Sequence, residues 1–159
     1  MRSDIAALYA KTGEFSRRVD SARRIIARAL ETPNANPYVS FSGGKDSTVV
    51  YNLVREQVPD VPAVWSDDEW WLPETLEYIR RVQASGCDLR QIRTNAHHTD
   101  WFETRGDYDG IPHYSRLVGG WGLCFLGLRQ EESRARKLHL RKFGPLSFAV
   151  SDDWWHCNP

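Results

Sequence analysis

The chain has 159 residues, enough for one domain with a single buried core. Hydrophobic residues make up 41% and charged residues 26%, which excludes a mainly disordered chain. With 21 basic and 21 acidic residues the formal net charge is zero, which argues against nucleic-acid binding driven by the field of the whole chain.

In chain order, Ile5, Leu8 and Tyr9 predict a short helix before Gly13. Phe15, Val19, Ala22, Ile26 and Leu30 recur at three- and four-residue steps and predict a longer one, with its arginines mostly on other faces. Residues 32–37, rich in Pro and Asn, break the pattern. Strands and helices then alternate. Strands are predicted at 38–41, 61–65, 89–93 and 123–128, with a fifth beginning at 148–150. Helices are predicted at 46–58, 73–84 and 131–142. The segment 94–120 reads as a short helix and a long loop. Val49, Val50, Leu53 and Val54 form the expected inner stripe of the 46–58 helix. The alternation predicts an α/β fold, a three-layer sandwich around a mainly parallel sheet of about five strands. The organisation expected is an N-terminal helical segment, 1–36, and an α/β domain, 37–159.

Other features set the compartment and the chemistry. No apolar run is long enough to span a membrane, and no basic stretch followed by an apolar one opens the chain as a leader. Cys87, Cys124 and Cys157 are odd in number and far apart, so they predict neither a disulfide framework nor a C-x-x-C pair. The cytoplasm is the expected compartment. Acids crowd the stretch from Glu56 to Glu77 and bases the stretch from Arg129 to Lys142. A local arginine cluster can grip a phosphate or sulfate through its planar fork.

The most informative residues are Ser42-Gly43-Gly44-Lys45-Asp46-Ser47, at a strand-to-helix junction. Glycines permit a sharp turn and leave room for a ligand. The first N–H groups of a helix have no internal partners and can hold an anion. Lys45 adds a charge, and Ser42 and Ser47 add hydroxyls. The spacing is neither that of a Walker A loop nor that of a G-x-G-x-x-G dinucleotide loop.

The stretch from Ser40 to Val49 resembles the PP-loop of the adenine nucleotide alpha-hydrolase-like superfamily, and within it the phosphoadenosine phosphosulfate (PAPS) reductase family. Pro73-Glu74-Thr75-Leu76-Glu77-Tyr78 resembles that family's P-E-T-x-x-Y segment. Gly127-Leu128-Arg129-Gln130-Glu131-Glu132-Ser133 resembles its G-L-R-x-E-E-S motif. The resemblance implies that Ser42, Gly43, Gly44, Lys45, Asp46 and Ser47 hold the phosphates of ATP or the phosphosulfate of PAPS. It places Asp67 near the ribose or adenine, and Arg129 and Arg134 on the anionic part of the substrate. Lys45 and Arg129 are the expected catalytic residues. Asp67 is also a candidate Mg ligand.

Two departures matter. The family's D-T-G-x-x-F-like stretch is here Ser66-Asp67-Asp68-Glu69-Trp70-Trp71-Leu72, which keeps the acid and loses Thr-Gly. Neither the E-C-G-x-H-like segment with the family's reactive cysteine nor the iron–sulfur cysteine cluster of some relatives is matched; Cys157 stands in Trp155-His156-Cys157 instead. No iron–sulfur centre is therefore expected, and Cys157 is a weak candidate for a nucleophile. Three readings stay open. The first is a PAPS reductase-family protein binding ATP, PAPS or adenylyl sulfate, with a thiol reductant or sulfur-carrier protein as partner. The second is a Mg-dependent ATP pyrophosphatase that adenylates a second substrate in sulfur transfer, the one role in which nucleic acid would enter. The third is an inert nucleotide-binding subunit. No membrane partner is expected.

Overall fold

The structure, a computed structural model, describes residues 3–67, 72–93, 120–129, 133–150 and 153–159. Two helices open the chain, α1 (Ser3–Tyr9) and α2 (Gly13–Leu30). Thr12 starts α2, its hydroxyl accepting from Phe15 N at 3.2 Å. The first turns of α2 are exposed. Only its C-terminal half reaches the core, through Ile26 and Ala29.

The remainder alternates: β1 (Pro37–Ser40), α3 (Lys45–Arg55), β2 (Ala63–Asp67), α4 (Pro73–Ala84), β3 (Leu89–Arg93), β4 (Leu123–Phe125), α5 (Arg134–Phe143), β5 (Leu146–Ala149) and β6 (Trp154–Cys157). Pro73 opens α4, where its missing N–H costs nothing. The strands form one sheet in the order β3-β2-β1-β4-β6-β5. Every neighbouring pair is parallel except the edge pair β5–β6. The fold class expected from the sequence holds, with six strands in place of about five. The sixth is the Trp-rich tail, which returns beside β4 and folds β5 back as an antiparallel edge. A tail rich in aromatic residues carries no alternation that announces a strand; its burial does. Trp154 and Cys157 are almost wholly enclosed.

Side chains alternate between the two faces of the sheet. Val39, Phe41, Ala63, Trp65, Leu123, Phe125 and Cys157 form one cluster with Ile26 and Ala29 of α2, Val50, Tyr51 and Val54 of α3, and Ile79 of α4. The other face bears Tyr38, Val64 and Cys124 together with Trp121, whose ring stacks on Tyr38 at 4.8 Å. Val49, expected inside, is 56% exposed, and Tyr51 takes the inner position with its hydroxyl 2.7 Å from Cys87 Sγ. At about 100° per residue, Ser47, Val50, Tyr51 and Val54 share one face and Val49 does not. Residues 94–119, including His97 and His98, and the pair Trp70 and Trp71 lie outside the described residues. Among the described residues no helix is long and apolar enough to cross a membrane.

Candidate functional site

The chain runs β1 to β2 to β3 toward one edge, then returns to place β4 on the far side of β1. The crevice at the carboxyl ends of β1 and β4 is therefore the switch point of the sheet, where open parallel sheets bind ligands. Residues 42–47 follow β1, and residues 126–129 follow β4, so both candidate segments meet there.

The loop after β1 holds itself in shape. Ser47 is buried, and its hydroxyl donates to the Gly44 carbonyl at 3.0 Å. The same oxygen accepts from Ser42 N at 3.2 Å and lies 3.1 Å from Ser42 Oγ. Ser42 Oγ in turn accepts from Gly44 N at 3.3 Å. Thr48 Oγ1 donates to the same Gly44 carbonyl at 2.9 Å and stands 3.3 Å from the Tyr78 hydroxyl of α4. The two serines, expected as donors to a ligand, thus brace each other and the turn. The first N–H groups of α3, which have no partner within the helix, begin at this turn. Gly44 is the N-cap of that helix and makes no side-chain cap bond.

The two glycines have different reasons. Gly43 has φ +74°, the left-handed region, and a Cβ there would stand 3.3 Å from Ile79 Cδ1 and 3.6 Å from Tyr78 Cδ1. The P-E-T-x-x-Y segment, through Thr75 and Tyr78, therefore packs against the loop. Gly44 has ordinary backbone angles, φ −76° and ψ 162°.

Gly127 joins the two segments. A Cβ on it would stand 2.7 Å from Ser47 N and 2.8 Å from Asp46 C, so only glycine lets the segment following β4 approach the first turn of α3. Two residues later, Arg129 Nε meets Asp46 Oδ2 at 3.1 Å. Arg129 is 49% and Asp46 29% exposed, so the pair is open to solvent on one side. Lys45, the first residue of α3, is exposed with no ion pair to another described residue. Asp67 ends β2, beside β1, and brings a carboxylate-bearing residue to the same sheet edge. Arg134 begins α5 and is exposed; no ion pair or hydrogen bond joins it to the loop among the described residues. Asp68 and Glu69 lie outside the described residues, and among those described no three His, Cys, Asp or Glu side chains gather as a metal site.

Two of the three cysteines, Cys124 and Cys157, are buried. Burial, together with nearby Cys124, pushes the Cys157 thiol up to about 12. Burial likewise pushes Cys124 up to about 12. Burial also raises the hydroxyl of Tyr51, as does its hydrogen bond to Cys87.

The family model for the phosphoadenosine phosphosulfate reductase domain matches residues 36–141, which span β1 through most of α5. The chain belongs to the PAPS reductase domain family. Curated relatives include the PAPS reductase of Vibrio campbellii, 28% identical over 137 residues, covering 73% of this chain and 51% of the relative. That of Aliivibrio salmonicida is 28% identical over 158 residues, covering 84% of this chain and 61% of the relative. The chain thus spans about half to three fifths of the length of these relatives. Among solved structures, the PAPS reductase of Candida auris in a phosphate complex superposes with a TM-score of 0.64 at 17% identity, covering 87% of this chain and 71% of that one. The FMN adenylyltransferase of Candida glabrata in complex with ATP gives 0.59 at 15% identity, covering 90% and 50%. At such identities these two show the shared adenine nucleotide alpha-hydrolase-like fold. Gly127, quoted in the G-L-R motif, is the site residue whose role the sequence left unread; its signal is a glycine immediately ahead of the arginine that meets Asp46.

Proposed function

We propose that the chain binds an adenine nucleotide at the switch point, with the anionic end over the first turn of α3 between Lys45 and Arg129. Family membership makes PAPS the first choice, with adenylyl sulfate and ATP as close alternatives. The observation that carries the reading is the junction of the two segments: Gly127 against Ser47 N, and Arg129 Nε on Asp46 at 3.1 Å. First-turn N–H groups of α3 within the Ser42–Ser47 loop then donate to the anionic end, Lys45 and Arg129 stabilise charge that develops on the departing anion, Asp67 contacts the ribose or adenine, and Arg134 reaches the far phosphate.

A second reading is an ATP pyrophosphatase that releases pyrophosphate while adenylating a second substrate. The enclosure of Cys124 and Cys157 favours it over sulfo transfer onto either of those two thiols. Sulfo transfer needs an attacking thiolate, and Cys124 and Cys157 remain protonated and enclosed at neutral pH. On the reductase reading the thiol comes from elsewhere, such as a thiol reductant protein. Adenylation needs none. Mg commonly binds through one or two carboxylates together with phosphate oxygens, a role that Asp67 fits.

Calorimetry with PAPS, adenylyl sulfate, ATP and adenosine tests the shared binding step. Charged nucleotides should bind far more tightly than adenosine; equal affinities would overturn the site. Product assays then separate the chemistries. Sulfite from PAPS with a thiol reductant supports the reductase reading. Pyrophosphate from ATP with Mg supports the second. Tight binding with neither product identifies an inert binding subunit.

A further inference from the structure

Helix α5 is chemically unlike the rest of the chain. Five of its ten residues are Lys or Arg (Arg134, Arg136, Lys137, Arg141, Lys142), one is His139, and none is acidic. No residue of it is buried. In α2, Arg18 meets Glu14, and Arg23 meets Asp20 and Glu56. In α5, Lys137, Arg141 and Lys142 form no ion pair with any described residue. The arrangement works against the helix itself. Lys137 and Arg141 are like charges one turn apart, and the first turn places arginines, with no acid, at the positive end of the helix dipole. At about 100° per residue, Arg134, Lys137, Leu138, Arg141 and Lys142 fall on one arc of about 140°, turned away from half-buried Leu140. At the C-terminal end of the helix, Phe143 is 50% exposed, with the His139 ring 4.9 Å away and Lys142 Nζ 4.8 Å from its own ring.

We infer that the outer face of α5 binds single-stranded nucleic acid. Lys137, Arg141 and Lys142 lie along the phosphates, and the Phe143 and His139 rings offer faces for bases. A polyanion relieves the repulsion that no acid on the helix relieves. Exposed rings beside a line of cations suit unpaired bases, which stack on aromatic side chains with little regard to sequence, better than they suit an acidic protein surface or a closed duplex. The neutral net charge of the chain does not oppose this, because the field of α5 is local. Apart from Arg134, which the proposed nucleotide site also uses, this face is separate from that site and stands whichever chemistry it performs.

Anisotropy of a labelled single-stranded oligonucleotide with the full chain tests the inference, using duplex DNA and polyglutamate as competitors. Each phosphate neutralised contributes about −0.7 to the slope of log affinity against log salt for single strands. Counting Arg134 with the other three, the slope should be near −3, so affinity falls about 50-fold between 50 and 200 mM salt. Lys137→Gln/Arg141→Gln/Lys142→Gln should bring the slope near −1 and leave ATP affinity and the far-ultraviolet spectrum unchanged. Lys137→Arg/Lys142→Arg should bind as the parent does. Phe143→Ala should weaken binding several-fold without changing the slope. Binding unaltered in the triple variant would overturn the inference. So would no binding at 50 mM salt, displacement by polyglutamate as effective as by the oligonucleotide, or a preference for duplex.

Discussion

Gly127 lies so close to Ser47 that a methyl group on the glycine would stand 2.7 Å from the serine's backbone nitrogen. Two segments about 80 residues apart in sequence are thus clamped at one point, beside the ion pair of Asp46 and Arg129. Neither contact alone makes a binding site. Together they set the first turn of α3 and the arginine after β4 in one fixed relation.

Gly127→Ala should therefore damage both stability and binding. Overpacking against backbone, which cannot swing aside as a side chain can, costs about 1–3 kcal/mol. Denaturant melts should show that loss, and calorimetry should show weaker ATP or PAPS binding. Gly86→Ala is the comparison: its φ is also positive, but a Cβ there meets nothing within 4 Å. It should lower stability and leave nucleotide affinity intact.

The neighbouring glycines of the loop should separate. Gly43→Ala forces an L residue to φ +74° and crowds Ile79, so it should cost roughly 1–2 kcal/mol from the backbone alone. Gly44→Ala meets only Ser42 Oγ at 3.3 Å in an ordinary conformation and should be the milder change in thermal melts.

Arg129→Gln should barely move the melting temperature, because a half-exposed ion pair contributes about 0–1 kcal/mol. It should still weaken charged nucleotides. A lost charge-assisted contact is worth about 1.5–3 kcal/mol, or about 10- to 100-fold in affinity. Lys45→Ala should behave the same way, and adenosine affinity should be unchanged in both variants. A parallel loss for adenosine would place the two cations outside the phosphate site.

Alkaline stability should report the buried thiols. Cys124 and Cys157 have ordinary thiol values of 9.0 that the fold raises to about 12. The unfolded chain therefore releases these protons at lower pH than the folded one. The stability that protonated burial contributes is complete below pH 9 and falls as pH rises from 9 toward 12. Urea midpoints should decline across that window, and the decline should be shallower in Cys124→Ala/Cys157→Ala measured against its own neutral-pH midpoint. Equal declines would assign the effect to other groups, Tyr51 foremost.

Much of this protein is legible in its sequence. The alternation of strands and helices depends on local periodicity, and local periodicity survives in the sequence because each element must bury one face. The Ser42–Ser47 loop is legible because strand, glycine turn and helix start are consecutive residues. What the sequence withheld depends on pairs far apart in the chain or on how a turn closes on itself. Ser47 looks like a ligand donor until the fold turns its hydroxyl onto the Gly44 carbonyl. Cys157 looks available until β6 packs beside β4 and encloses it. Gly127 looks like any glycine of a loop until β4 returns beside β1 and brings it against the backbone of α3. Hydrophobic pattern records which face of an element is buried; only the order of strands in the sheet decides what that face, and each loop beyond it, will meet.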